Sequence, residues 1–80
     1  MKIYDFNDKK NISGKRIKET RQKLKLSQET LAAKLQLEGV SIERDSISRI
    51  EIGTRFVADY ELRTIAEILG VTPAYLLGID

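Results

Sequence analysis

Three polar residues, Asp45, Ser48 and Arg49, are spaced to share one face of a short helix, with the apolar Ile47 and Ile50 on the other. Their carboxylate, hydroxyl and guanidinium groups offer hydrogen-bond donors and acceptors. A helix held at an angle by a partner helix can enter the major groove of DNA, where such groups reach base edges. The alternative is that any small helical hairpin needs a polar outer surface. The residues alone leave both interpretations open.

The composition argues against an enzyme and against a metal site. The 80 residues include no Cys and no His, which removes disulfides, thiolate ligands, Cys nucleophiles and the usual general base at neutral pH. A chain this short forms one small domain without a separate catalytic lobe. No apolar run approaches the roughly 20 residues of a membrane span. We therefore expect a cytoplasmic protein that is not an enzyme, with no cofactor, no metal and no membrane partner.

The charge is unevenly distributed along the chain. Residues 1–25 hold nine Lys or Arg and three Asp or Glu, a net charge of +6, whereas residues 26–80 hold five and nine, a net charge of −4. A basic end of this kind can bind a polyanion. It is also what a solvated, Lys-rich helix face looks like, so the charge does not decide the function.

Helical spacing of apolar residues recurs along the chain, with start and stop residues between the segments. Residues 1–12 are predicted to form an arm, anchored by Ile3, Tyr4 and Phe6, and residues 13–80 a single all-α domain of five helices. The first predicted helix follows the cap Ser13 and ends at about Lys25, and the second follows the cap Ser27 and covers 28–35 or 28–37. The third covers 44–52 and is ended by Gly53. The fourth follows the cap Asp59, runs to Leu69 and is ended by Gly70, and a short fifth helix begins at Thr72 and Pro73.

The same spacing predicts which side chains face the core. On each of the first four helices they recur at intervals of three or four residues. The predicted inward positions are Ile17, Arg21 and Leu24, then Leu31, Ala32 and Leu35, then Ile47, Ile50 and Glu51, and finally Leu62, Ile65, Ala66 and Leu69.

Five sequence blocks resemble the Cro/CI-type helix-turn-helix domain of the Xre family of phage and bacterial repressors. They are KRIK at 15–18, LSQETLA at 26–32, ISRIEIG at 47–53, IAEILGV at 65–71 and PAYLL at 73–77. Each block is weakly specific alone, but five in this order at nearly the family's spacing are highly specific. The resemblance covers residues 13–77 and implies a five-helix, lambda-repressor-like domain that binds double-stranded DNA.

The resemblance also implies which residues meet DNA. Arg49 is the strongest candidate base reader, because its planar guanidinium can pair with guanine O6 and N7; the alternative is a phosphate contact or a solvated arginine. Ser27 is also explained as a helix cap, and both roles can hold. The implied base-reading residues are Arg44, Asp45, Ser48 and Arg49. The implied phosphate contacts are Lys15, Arg16, Ser27, Gln28, Thr54 and Arg55.

Two charged residues fall on inward faces, where a lone charge would be costly. The family holds an ion pair between its first and third helices at the positions of Arg21 and Glu51. The resemblance therefore implies that these two residues form a structural pair.

The turn between the second and third helices departs from the family. Leu35 and Ile47 are twelve positions apart, more than the family usually has. The extra residues could lengthen the second helix, the loop or the start of the third helix. Glu43 and Asp45 are also unusual beside phosphates; they are expected to cap a helix, with acceptance from cytosine N4 or exclusion of wrong sequences as alternatives.

Three apolar residues, Ile52, Phe56 and Val57, flank Gly53 where the chain should face water. Such a patch often marks an interface, and the resemblance implies dimer contacts after the third helix. The alternative places Phe56 over the fourth helix near Tyr60, with Ile52 or Val57 left outside. We expect a homodimer that is weak without DNA.

Two classes of function fit these observations. The first is a sequence-specific transcriptional regulator, most simply a repressor that occupies a palindromic operator. The second is a protein-interaction module on the same fold, such as an antitoxin or an adaptor, because a fold does not determine a function. The basic first helix next to Ser27, Gln28 and Arg49 favours the first class, since a protein binder would not require it.

Overall fold

The structure is a computed structural model that describes residues 6–79, so residues 1–5 of the predicted arm, with Ile3 and Tyr4, and Asp80 lie outside it. Its helices are α1 (Gly14–Lys23), α2 (Gln28–Leu37), α3 (Arg44–Ile52), α4 (Asp59–Leu69) and α5 (Pro73–Leu76). Within this described part the only β-type pairing is an isolated bridge between Phe6 and Lys9. The all-α, five-helix prediction is confirmed.

Several predicted helix ends are confirmed. The Ser27 hydroxyl accepts a hydrogen bond from the Thr30 N–H at 2.9 Å, which caps α2. Thr72 caps α5 in the same way, with Pro73 at the first helical position. Gly53 ends α3 with a φ of 99°, a left-handed conformation in which a Cβ would be strained.

One predicted cap, Asp59, is wrong, and another, Ser13, is right in position but makes no capping bond. The helix α4 begins at Asp59, and its cap position is Ala58, whose N–H donates to the Glu61 carboxylate at 2.9 Å. Ser13 is at the cap position of α1, but its backbone is already helical and its side chain makes no capping bond. The bond to the first turn comes instead from Asn11, whose Oδ1 accepts from the Gly14 N–H at 2.8 Å.

The end of α1 also differs from the prediction. The helix stops at Lys23, and Lys25 adopts a left-handed φ of 58°. The N–H groups of Lys25 and Leu26 close the last turn onto the Gln22 and Arg21 carbonyls, which is a Schellman motif. Leu24 is therefore beyond the helical stripe and 48% exposed, rather than inward as predicted.

The long turn is built around two apolar residues. Gly39 ends α2 with a φ of 84°, and the chain then buries Val40 and Ile42 before α3 begins at Arg44. The Gln36 side-chain amide donates to the Ile42 carbonyl at 2.8 Å and holds the turn closed. The turn therefore contributes two residues to the core. Their burial was not predicted from the sequence, because each is next to a polar residue, Ser41 or Glu43.

The helices surround one core. The helix α3 packs against α1 and α2, α4 packs against α2, and α5 closes the bundle against α1 and α4. No helix among residues 6–79 is both long and apolar enough to cross a membrane. The predicted inward residue Leu62 is only partly buried. The buried apolar residues are Ile17, Leu31, Ala32, Leu35, Val40, Ile42, Ile47, Ile50, Ile65, Ala66, Leu69 and Leu76.

Candidate nucleic-acid interface

The outer face of α3 gathers four polar side chains. Arg44, Asp45, Ser48 and Arg49 line one shallow depression, opposite the fully buried Ile47. Arg44 and Asp45 form a long ion pair of 3.4 Å with side chains 56% and 77% exposed, which contributes little energy in water. Arg49 is exposed and its guanidinium has no bond to another described residue. This face can therefore donate and accept hydrogen bonds without breaking a strong internal contact.

The start of α2 lies against α3. The Gln28 side-chain amide donates to Glu51 Oε1 at 3.0 Å and so links the two helices. The Ser27 hydroxyl accepts from the Thr30 N–H and donates to Thr30 Oγ1 at 2.9 Å. The N–H groups of Gln28 and Glu29, in the first turn, have no carbonyl partner within the helix. An exposed helix start of this kind attracts an anion, here beside the polar face of α3.

A charged network under this surface joins α1, α2 and α3. Arg21 Nε donates to Glu51 Oε2 at 2.7 Å and Nη2 donates to Oε1 at 3.0 Å, with the two side chains 10% and 2% exposed. Arg21 Nη1 donates to the Leu26 carbonyl at 2.7 Å. Since Gln28 donates to the same carboxylate, Glu51 accepts bonds from two helices. The structure thus brings together the two charges that the resemblance paired.

The remaining cations proposed for phosphate contact differ in how they are held. Lys15 is exposed on α1. Arg16 instead donates to the Tyr75 carbonyl at 3.2 Å and stacks 4.7 Å from the centre of the Tyr75 ring. Thr54 is exposed; its N–H donates to the Arg49 carbonyl at 2.9 Å, and its hydroxyl makes a long contact of 3.4 Å to the same oxygen.

Arg55 is held by a carboxylate that the sequence analysis did not single out. Its guanidinium donates to both oxygens of Glu61, at 3.0 and 3.1 Å, and to the Phe56 carbonyl. The hydrogen bond to Glu61 raises the pKa of Arg55. Burial works to raise the pKa of Glu61, but the bonds from Arg55 and the Ala58 N–H outweigh it and the pKa is lowered. Arg55 therefore braces the loop before α4.

The apolar patch after α3 is arranged differently from the expectation. Ile52 is 59% exposed and Phe56 is 49% exposed, while Val57 packs against the core. The Lys10 ammonium lies 5.2 Å from the centre of the Phe56 ring, a cation–π contact. The exposed part of the patch is thus Ile52 and Phe56, and Val57 is only partly buried against the core.

Residues before α1 contact the end of α3, which the sequence analysis missed. Asn11 donates to the carbonyls of Ile50 and Arg55, at 3.0 and 2.8 Å. A Cβ on Gly14 would overlap the Ile50 carbonyl oxygen, so α1 begins in direct contact with the α3 backbone. The one local indication was the placement of Asn11 three residues before Gly14, a spacing at which an Asn side chain often bonds backbone.

Two packed helices, α2 and α3, present a polar outer face, and the other three helices support them. This is the architecture of a helix-turn-helix domain. The sequence matches the family described as "Helix-turn-helix domain" over residues 14–78. A comparison with curated protein sequences gives no match. A solved structure is similar: the P22 c2 repressor protein in complex with synthetic operator 9T, in the presence of Tl⁺, with a TM-score of 0.73 and 30% sequence identity. The match covers 88% of this chain and 98% of that chain.

The chain therefore belongs to the helix-turn-helix domain family, and it has the Cro/CI-type form that its sequence predicts. This membership makes it a DNA-binding domain of the kind found in transcription regulators, in a family that is not enzymatic.

Proposed function

We propose that this protein is a sequence-specific repressor that inserts α3 into the major groove of its operator. The observation that carries the proposal is the polar row of exposed Arg44, Asp45 and Arg49 and half-buried Ser48, on a helix whose Ile47 and Ile50 are fully buried. The similarity to a repressor in complex with an operator supports binding to an operator. A regulator that covers its operator represses by excluding other proteins from that DNA.

In the proposed complex Arg49 reads a guanine. Its exposed guanidinium has no competing partner among the described residues, and its fork fits guanine O6 and N7. Arg44, Asp45 and Ser48 supply the neighbouring donors and acceptors. The Asp45 carboxylate is close to Arg44, so that this pair presents a donor and an acceptor side by side instead of a lone negative charge facing phosphate.

Phosphate contacts are proposed on both sides of α3. Ser27 and Gln28 present the start of α2, where backbone N–H groups and the helix dipole favour an anion. Lys15, Arg16, Thr54 and Arg55 are the remaining proposed contacts. Lys15 is exposed, whereas Arg16 and Arg55 carry internal bonds that compete with a phosphate.

The repressor is proposed to act as a homodimer on a palindromic operator. Ile52 and Phe56 are exposed at the end of α3, and two copies joined there could present two α3 helices to half-sites about 34 Å apart. Val57 supports this surface from the core side. Because the exposed patch is small, the dimer is expected to be weak without DNA.

The test begins with selection of bound sequences from a random pool of duplex DNA. Arg49→Ala should then weaken binding to the selected site by about 1–3 kcal/mol and to random duplex much less. The matched control is Arg63→Ala, since Arg63 is exposed on α4. Equal losses on both DNAs would make Arg49 a phosphate contact, and a loss no larger than that of the control would remove it from the interface.

Salt dependence separates the two classes of function. A DNA-binding domain should bind random duplex less tightly as salt rises, because each cation–phosphate contact releases counterions and contributes about one unit to the log–log slope. Absence of both salt-dependent binding and a selected sequence would favour the protein-interaction module.

A further inference from the structure

Three consecutive residues before α1 close the far end of α3. The Lys9 ammonium donates to the Ile52 carbonyl at 3.1 Å, the Lys10 N–H donates to the Gly53 carbonyl at 2.8 Å, and Asn11 Nδ2 donates to the Ile50 carbonyl at 3.0 Å. The last carbonyls of a helix lack the N–H partner that the next turn would supply, and they carry its negative dipole end. The Ile50 carbonyl also accepts from the Gly53 N–H at 3.1 Å. Donors and a cation from a distant segment therefore stabilise this end of α3.

Asn11 is the central residue of this contact. Its amide nitrogen donates to the carbonyls of Ile50 in α3 and Arg55 in the following loop. Its oxygen accepts from the Gly14 N–H at the start of α1. One amide thus joins three parts of the chain that are separated by up to 44 residues, using both donors and one acceptor.

The surroundings of Asn11 leave little freedom for α3 to move. A Cβ on Gly14 would overlap the Ile50 carbonyl oxygen, and a Cβ on Gly53 would come within 2.8 Å of the Lys9 side chain. The same end of α3 leads into Thr54 and Phe56, at the edge of the proposed DNA and dimer surfaces. A change in these contacts would alter how the last turn of α3 sits against the start of α1.

We propose that Asn11 is a positioning residue for DNA recognition, which sets the angle of α3 and of the loop after it. The inference rests on the proposed function, because its consequence is a loss of fit to the operator. Asn11 lies behind the outer face of α3 and reads no base. Its loss should weaken specific binding, in which side chains must meet base edges, far more than binding to random duplex.

The decisive variant is Asn11→Asp. A carboxylate of the same shape still accepts from the Gly14 N–H, but it cannot donate to the two carbonyls and faces them with a negative charge. The matched control is Asn7→Asp, which adds the same charge on an exposed turn where the left-handed φ of 51° suits Asp. We expect Asn11→Asp to bind the selected operator about tenfold more weakly than the control, as for the loss of one base contact, and random duplex within about twofold.

A second, neutral variant removes charge from the comparison. Asn11→Ala should lose affinity for the selected operator in the same way, with the salt slope unchanged. Thr72→Ala removes a cap on α5, which packs against α1 and α4. It measures how much destabilisation alone affects binding, at a temperature where circular dichroism shows both variants folded. Lys9→Gln removes the ammonium that bonds the Ile52 carbonyl, together with its charge. It provides a mild variant if the Asn11 variants unfold, and its loss on the operator should be about twofold.

The outcomes distinguish a failure of the proposed role of Asn11 from a failure of the proposed repressor function. If the unmodified protein selects no sequence, the proposed function fails and the inference with it. If it selects an operator and Asn11→Asp binds that operator as tightly as Asn7→Asp, the inference alone is overturned. Equal losses on operator and random duplex would also overturn it, because they would make Asn11 a phosphate contact.

Discussion

Replacement of Glu51 by glutamine tests the network beneath the proposed interface. Glutamine has nearly the same shape, but the change removes the charge that meets Arg21 through two hydrogen bonds of 2.7 and 3.0 Å. The Arg21 side chain is 10% exposed, so water cannot fully replace the lost carboxylate. Glutamine also turns an N–H group toward a guanidinium that has only donors.

The magnitude follows from burial. Removal of one member of a buried ion pair costs about 3–5 kcal/mol, since it leaves the other charge uncompensated. A domain of this size loses roughly 4–8 °C of Tm per kcal/mol, so Tm should fall by at least about 12 °C. The remaining bond from Arg21 to the Leu26 carbonyl at 2.7 Å keeps the expected loss at the lower end of the range.

Urea unfolding followed by far-UV circular dichroism measures this loss. Glu67→Gln is the control, because Glu67 makes an exposed contact of 4.0 Å with Arg63 and should cost no more than about 0.5 kcal/mol. In a double-mutant cycle, Arg21→Met with Glu51→Gln should recover part of the combined single losses. Additive losses, or a Glu51→Gln loss as small as that of the control, would refute the buried-pair argument.

Two further predictions concern acid stability and self-association. Glu61 has a lowered pKa in the folded state, so its charge stabilises the fold above the ordinary glutamate pKa of about 4.3, and this contribution is lost as the pH falls through the folded pKa. Glu61→Gln should therefore be less stable at neutral pH and lose less on acidification in urea titrations; a parallel pH dependence would contradict this. Ile52→Lys should abolish cooperative binding to a full palindromic site while half-site binding and folding persist, because Ile52 is 59% exposed. Leu37→Lys, at an 85% exposed position on α2, is the control, and an unchanged Ile52→Lys titration would exclude Ile52 from the dimer contact.

Features with local causes were predictable from the sequence. The stripe Leu31, Ala32 and Leu35 needs only the helical period, and it is buried as expected. The caps at Ser27 and Thr72 each bond an N–H three residues away, so their partners are contained in the same short segment. The same holds for Gly53, whose left-handed conformation follows from its place after α3.

Errors arose where two local choices competed. Asp59 is a good cap by type, but Glu61 bonds the Ala58 N–H and also holds Arg55, so the helix begins with Asp59 inside its first turn. Leu24 fits the apolar stripe of α1, but the left-handed Lys25 lets the chain turn before that stripe continues. In both cases a neighbouring hydrogen-bond pattern outweighed the propensity of a single residue.

The placement of α3 depends on contacts that no local pattern contains. Asn11 donates to carbonyls 39 and 44 residues away. Because every residue type has the same backbone carbonyl, the sequence does not indicate which carbonyls accept these bonds. Arg21 and Glu51 are 30 residues apart, yet they were paired because both are charges on inward faces and the family joins those positions. A long-range contact is therefore predictable where both side chains are unusual for their surroundings. Where one partner is backbone, as at the end of α3, only the structure identifies the contact, and only binding measurements on Asn11 variants can assign it a role.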